Sequence, residues 1–202
     1  MTSVILIRHG QTDDNMAKFF TGWGDVDLNA TGYDQARRLS SRLASWQVSA
    51  VYSSPLRRTT TTASLVAAPH GLEPFLLDDL IEIRLGDWEG LQEDEVWERW
   101  PELRRQTLDD PSEVAFPNGE SFPDVTRRAI RAFEAVTSAN RGRQVLVVTH
   151  DIIIRLIVAY TLGVGNSIYR RMQIDNASLT VIGVSEGKRV LLTLNDTSHL
   201  GG

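Results

Sequence analysis

The sequence predicts an α/β fold, a three-layer α/β/α sandwich with a mostly parallel central sheet and a small helical lid insertion. Three observations carry that expectation. Val4-Ile5-Leu6-Ile7 is a run of apolar, mostly β-branched residues that reads as a strand buried on both faces, and it stops at Arg8, His9 and Gly10. The arrangement recurs downstream, where Val145-Leu146-Val147-Val148-Thr149 runs into His150. Between and after them, short apolar runs alternate with amphipathic helical stretches, the pattern of a sheet covered by helices. Open parallel sheets bind ligands at the carboxyl ends of their strands, so a site is expected where these two strands stop.

After the first strand, residues 12–20 suit a loop with one or two helical turns, and the glycines and aspartates of 21–27 a flexible loop. Residues 31–46 read as an amphipathic helix, because Ala36, Leu39, Leu43 and Trp46 fall three or four apart. Residues 48–53 form a second strand, and Ser53-Ser54-Pro55 is expected to cap a helix through residue 67. Arg57 and Arg58 in its first turn oppose the helix dipole, so an anion bound there would account for them. Residues 72–77 suit a third strand. The segment Leu80 to Gly90 is a glycine-punctuated loop, and acid-rich 93–113 reads as helices and turns over the sheet edge. One domain over 1–202, with a lid at about 91–118, is the expected organisation.

Pro117-Asn118-Gly119 is a turn, and Ser121 with Asp124 begins a long helix with Val125, Ala129, Ala132, Phe133 and Val136 on its buried face. Residues 152–162 form an apolar helix ended by Gly163. Two last strands, 178–184 and 188–194, join through Ser185-Glu186-Gly187 as a hairpin.

With 202 residues the chain is long enough for a real core. A net charge of −5 and the lack of any basic run or long apolar segment argue against nucleic-acid and membrane partners. No signal-peptide pattern stands at the amino terminus, and the absence of cysteine excludes disulfides, thiolate metal sites and a cysteine nucleophile. A cytoplasmic protein is expected, with its oligomeric state open and a homodimer among the arrangements considered.

His9, His150, Arg8, Arg58 and Glu82, brought to one crevice, would suit an anion rather than a metal, because guanidiniums repel a cation and grip phosphate oxygens bidentately. A neutral histidine there can attack phosphorus in line, and a glutamate can protonate the leaving alkoxide. Side chains on successive strand residues point to opposite faces, so the chain is expected to leave the sheet after Arg8, with Gly10 supplying the backbone freedom.

Arg8-His9-Gly10-Gln11-Thr12 with Asn15 resembles the signature of the histidine phosphatase superfamily, the phosphoglycerate-mutase-like proteins. Further blocks follow in the same order: Leu28-Asn29-Ala30-Thr31-Gly32 with Gln35-Ala36, then Ser53 to Arg58 with Thr62-Ala63, then Glu82 with Gly86, Trp88, Glu89 and Gly90. Gly119-Glu120-Ser121 and Val148-Thr149-His150 with Arg155 complete it. The resemblance implies that His9 is the nucleophile that becomes phosphohistidine. It implies that Arg8, Arg58 and His150 hold the phosphoryl group, that Glu82 is the proton donor, and that Asn15, Thr21 and Gly22 lie near phosphate or substrate. No metal and no cofactor is implied, and the partner is a small phosphorylated metabolite. Two positions depart from the family pattern: Gln11 replaces the frequent glutamate, and Asp151 stands where glycine is usual, so it must point away from a bound phosphate or be paired.

The leading reading is a phosphomonoesterase. The alternative is a 2,3-bisphosphoglycerate-dependent phosphoglycerate mutase, for which Arg104-Arg105 could clamp the substrate carboxylate. A binding module without turnover is the third reading, disfavoured because nucleophile and acid are both present. Arg57 reads as a solvated helix residue, Asp87 and Glu89 as loop hydrogen-bonders, Glu120 as ordering a turn and Arg155 as an ion-pair partner. His70 and His199 read as surface residues, and Trp23, Trp88, Trp97 and Trp100 mostly as packing.

Overall fold

The computed structural model describes residues 1–201 and contains one six-stranded sheet of order β3-β2-β4-β1-β5-β6. The strands are β1 (Thr2–Arg8), β2 (Val48–Ser53), β3 (Phe75–Leu76), β4 (Gln144–Thr149), β5 (Leu179–Ser185) and β6 (Lys188–Asp196). The first four are mutually parallel and the last two form an antiparallel hairpin. Its turn is Glu186-Gly187, both at positive φ, the combination that matches the strands' own twist.

Helices cover both faces. The helices α2 (Ala30–Leu43) and α3 (Arg57–Ala67) pack with Ile5, Ile7, Leu146 and Val148. On the other face α6 (Phe122–Ala139) and α7 (Asp151–Leu162) pack with Val4, Leu6, Val145 and Val147. Strand periodicity thus sends alternate residues of each central strand into separate cores, which explains why both runs are apolar throughout. The remaining helices are α1 (Asp13–Ala17), α4 (Glu93–Arg99) and α5 (Pro101–Asp109), so the acid-rich stretch is helical as expected. Its deepest anchor is Val96, fully buried, rather than Trp97.

Several local expectations change. The third strand shrinks to Phe75–Leu76, because only Tyr52 and Ser53 of β2 offer it partners and its other side is solvent. The first long helix ends at Leu43, short of Trp46. The α3 N-cap is Leu56, whose apolar side chain can make no cap bond, and Ser53 Oγ is spent on the Ser54 carbonyl at 2.7 Å. Gly10 is not at positive φ; a Cβ there would stand 2.5 Å from the Gly32 carbonyl oxygen, so close approach of two backbones requires the glycine. His70 and His199 are half-buried rather than surface residues, and His199 Nδ1 lies 3.2 Å from Arg42 Nη1.

Candidate active site

The site is set by sheet register. Strands β1 and β4 pair with Arg8 opposite Thr149, so the residues that follow, His9 and His150, leave the sheet side by side. The His9 N–H still donates to the Thr149 carbonyl at 3.1 Å, and the Ala177 N–H donates to both the Arg8 and His9 carbonyls. The imidazole centroids lie 5.3 Å apart with planes inclined at 63°. Strand β2 ends beside them: the Ser54 N–H donates to the Val148 carbonyl at 3.1 Å, and Ser54 Oγ lies 2.9 Å from His150 Nε2. The Ser54 hydroxyl thus lies between the histidine and the α3 terminus, where it also accepts from the Leu56 N–H at the longer distance of 3.4 Å.

His9 Nδ1 lies 2.7 Å from the Gly10 carbonyl oxygen. A carbonyl only accepts, so Nδ1 carries the proton and Nε2 keeps its lone pair when the ring is neutral. Burial, reinforced by Arg58 and Arg8, holds the His9 pKa well below the ordinary histidine value, so the ring is neutral near pH 7. His150 is depressed in the same way, by burial first and then by Arg58. With its Nε2 on Ser54, its Nδ1 is buried and has no partner among the described residues. A polar atom so placed costs stability until a ligand satisfies it.

Two guanidiniums flank the histidines. Arg58, only 3 % exposed, donates to the Gly24 carbonyl at 2.6 Å and the Gly22 carbonyl at 2.8 Å. Arg8 donates to the Ile174 carbonyl at 2.6 Å, and its Nε is buried without a partner among the described residues. Neither forms an ion pair among the described residues, whereas eleven other arginines of the chain do. Cations held by neutral carbonyls, with carboxylates acting on Arg58 only from beyond ion-pair distance, are poised for an anion.

Glu82 stands on the same crevice wall. Its Oε1 accepts from the Ile83 N–H at 2.9 Å and its Oε2 from the Ile152 N–H, in the first turn of α7, at 3.4 Å. Desolvation outweighs those bonds and lifts the carboxyl to about 7, with Asp151 adding to the rise. Its main chain is gripped from two sides, since Trp23 Nε1 and Arg128 Nη2 donate to the Glu82 carbonyl at 2.7 and 2.9 Å. Arg128 is itself paired with Glu120 at 2.7 Å. Glu120 thus supports the acid from a distance, a role that its position before a helix cap did not reveal.

The crevice has a volume of about 230 Å³ and is lined by Arg8, His9, Asn15, Thr21, Gly22, Arg58 and Glu82 together with apolar residues and a few further polar ones, Asp151 among them. That is below the roughly 300–1,000 Å³ of sites for drug-sized ligands and suits a small metabolite. Every residue expected at the site on sequence grounds lines it except His150, which is completely buried behind it. Asn15 Oδ1 accepts from the Thr12 N–H at 3.1 Å and from Asn176 Nδ2 at 3.0 Å, so the amide's NH₂ is the group left for a ligand. Thr21 donates its hydroxyl to Asp14 at 3.0 Å, and Gly22, at φ 50°, presents backbone where a Cβ would meet Glu89 at 2.4 Å. Asp151 is paired with Arg155 at 2.8 Å.

Sequence reasoning missed Ser54, Asn176, Arg128 and the crevice residues Tyr169 and Arg170. Only Ser54 lay inside a motif; the rest reach the site from distant segments with no local signal. The pairing of Arg104 with Arg105 as a clamp is not what forms. Arg104 lines the crevice but is held by Glu93 at 2.7 Å, whereas Arg105 is exposed and paired with Glu102 at 2.8 Å.

A family model described as the histidine phosphatase superfamily (branch 1) matches residues 4–197. Phosphoserine phosphatase 1 of Hydrogenobacter thermophilus is 37% identical over 201 residues, covering 100% of this chain and 95% of that protein. Among solved structures, Bacillus stearothermophilus YhfR superposes with a TM-score of 0.95 at 30% identity, covering 100% of both chains. The Entamoeba histolytica phosphoserine phosphatase, solved in complex with 3-phosphoglyceric acid, has a TM-score of 0.90 at 26% identity, covering 99% of this chain and 100% of that one.

Proposed function

The chain belongs to the histidine phosphatase superfamily, and from that premise we propose that it hydrolyses a small phosphate monoester through a covalent phosphohistidine on His9. The single observation that carries this reading is the juxtaposition of a neutral imidazole, its Nε2 lone pair free, with two arginines that have no carboxylate partner. Nε2 attacks phosphorus, the ester P–O bond breaks opposite it, and Glu82 delivers its proton to the departing alkoxide. Arg8, Arg58 and the His150 Nδ1 proton stabilise the equatorial oxygens as charge spreads over them. Water then attacks the phosphohistidine, the Glu82 carboxylate takes the water proton, and the P–N electron pair returns to Nε2. A glutamate with a pKa of about 7 suits both halves, because acid and base forms are each well populated near neutrality.

The names of the relatives support a phosphorylated hydroxy or amino acid as substrate. Rapid quenching with an ester radiolabelled at phosphorus tests the reading. Label should sit on the protein as an acid-labile, alkali-stable adduct, and His9→Ala should lose both the adduct and at least about 10⁴-fold in turnover. Retained turnover in His9→Ala removes this mechanism.

A further inference from the structure

Away from the phosphoryl end, the crevice has a second cationic wall that the reaction above does not use. Arg170 lies in the 3₁₀ segment Asn166–Arg171 between α7 and β5, and Arg104 lies in α5. Both reach Thr107: Arg170 Nε donates to its carbonyl at 3.2 Å and Arg104 Nη1 to its hydroxyl at 2.8 Å.

The two arginines differ in what else holds them. Arg104 is saturated, since its Nε and Nη2 donate to the two carboxylate oxygens of Glu93 at 2.8 and 2.9 Å. The pair is neutral. Arg170 forms no ion pair, and its two terminal nitrogens have no partner among the described residues. Its guanidinium carbon stands 5.9 Å from the centre of the Tyr169 ring, and Tyr169 also lines the crevice with a hydroxyl that makes no hydrogen bond among the described residues. Burial lifts that hydroxyl to about 12, so it remains a donor at working pH. The same lining includes the apolar Phe20, Leu85, Phe116 and Ile152.

We infer that Arg170 is a specificity-determining residue: its unpaired fork, with the Tyr169 ring beside it, receives the carboxylate of a substrate whose phosphoryl group lies against His9. This rests on the phosphatase reading for the placement of the phosphoryl group. A carboxylate fits better than a second phosphate. One planar fork matches two coplanar oxygens, and one uncompensated positive charge balances a monoanion, with Glu93 already neutralised and Asp151 paired to Arg155.

The test uses O-phosphoserine and O-phosphoethanolamine, which differ only by the carboxylate. The unaltered chain should favour phosphoserine in kcat/KM by at least about tenfold. Arg170→Gln should bring the ratio close to one through KM more than kcat, and Arg170→Lys should restore part of it. A ratio near one in the unaltered chain, or equal losses on both esters in Arg170→Gln, overturns the inference. Calorimetric binding of the same two esters to the His9→Ala chain separates the two readings. Tighter binding of phosphoserine to His9→Ala, together with no turnover of any ester by the unaltered chain, supports the clamp and sinks the chemistry. Hydrolysis of p-nitrophenyl phosphate with no preference for phosphoserine does the reverse.

Discussion

The two ends of the crevice hold their arginines by different means. At the phosphoryl end Arg8 and Arg58 donate to backbone carbonyls of Ile174, Gly22 and Gly24, and no carboxylate is in direct contact with either among the described residues. At the far end Arg104 is bound by Glu93, and Arg170 hydrogen-bonds only the Thr107 carbonyl among the described residues. A cation held by carbonyls is fixed in position yet still available to an anion, whereas one held by a carboxylate is fixed and spent. The contrast explains why arginine count is a poor guide to anion binding. The chain is rich in arginines, and most of them are neutralised by a neighbour.

After loss of the His9 nucleophile itself, the largest effect expected from breaking the phosphoryl end is that of Glu82→Gln. Loss of the general acid should slow an alkyl ester such as phosphoserine by about 10²–10⁴-fold and an aryl phosphate, whose leaving group needs no proton, far less. Because Glu82 titrates at about 7 and must be protonated for the first step, kcat/KM on the alkyl ester should fall as pH rises above about 7. Its acidic limb should lie well below pH 6.5, where His9 gains a proton. The alkaline fall should vanish in Glu82→Gln. An alkaline limb that survives the substitution assigns the proton to another group.

A smaller effect tests whether the phosphoryl end owes its rigidity to backbone contact. Gly10→Ala drives a Cβ to 2.5 Å from the Gly32 carbonyl oxygen, where neither side is a flexible side chain. We expect a loss of about 1–3 kcal/mol in urea unfolding, with turnover falling as well because His9 is the adjacent residue. Unchanged stability would mean that the two backbones separate at little cost.

The smallest effect sharpens the contrast by converting one kind of arginine into the other. Glu93→Gln leaves Arg104 in place with one hydrogen-bond acceptor but no counter-charge, so the far end gains a free cation. KM for phosphoserine should drop by about threefold or more, while KM for phosphoethanolamine moves less. Equal KM changes for the two esters would show that Arg104 does not face the substrate.

Much of the phosphoryl end was legible in the linear sequence. Two apolar runs ending in histidine marked two strands with reactive ends, and each run is buried on both faces. The asparagine, threonine and glycine expected near the phosphate line the crevice. The misreadings share a cause. By its place before Pro55, Ser54 is a helix-start residue, yet its hydroxyl's shorter contact is with His150, 96 residues away. Gly10 was read for backbone freedom, yet it makes room for Gly32. Local rules describe what a residue can do for its neighbours in sequence and are silent about a partner that folding brings in.

What the amino-acid order determined by itself was therefore the set of strands and helices, because burial periodicity and capping are interactions within a few residues, together with the chemical groups standing at the strand ends. Only the tertiary structure decided that Arg8 pairs opposite Thr149, which sets the two imidazoles side by side. It alone decided which arginines are spent on carboxylates and which remain for a ligand. The physical reason is that a charge's availability depends on every group within a few ångströms, and for Arg8, Arg58 and Arg170 those groups come from segments 34 to 166 residues away.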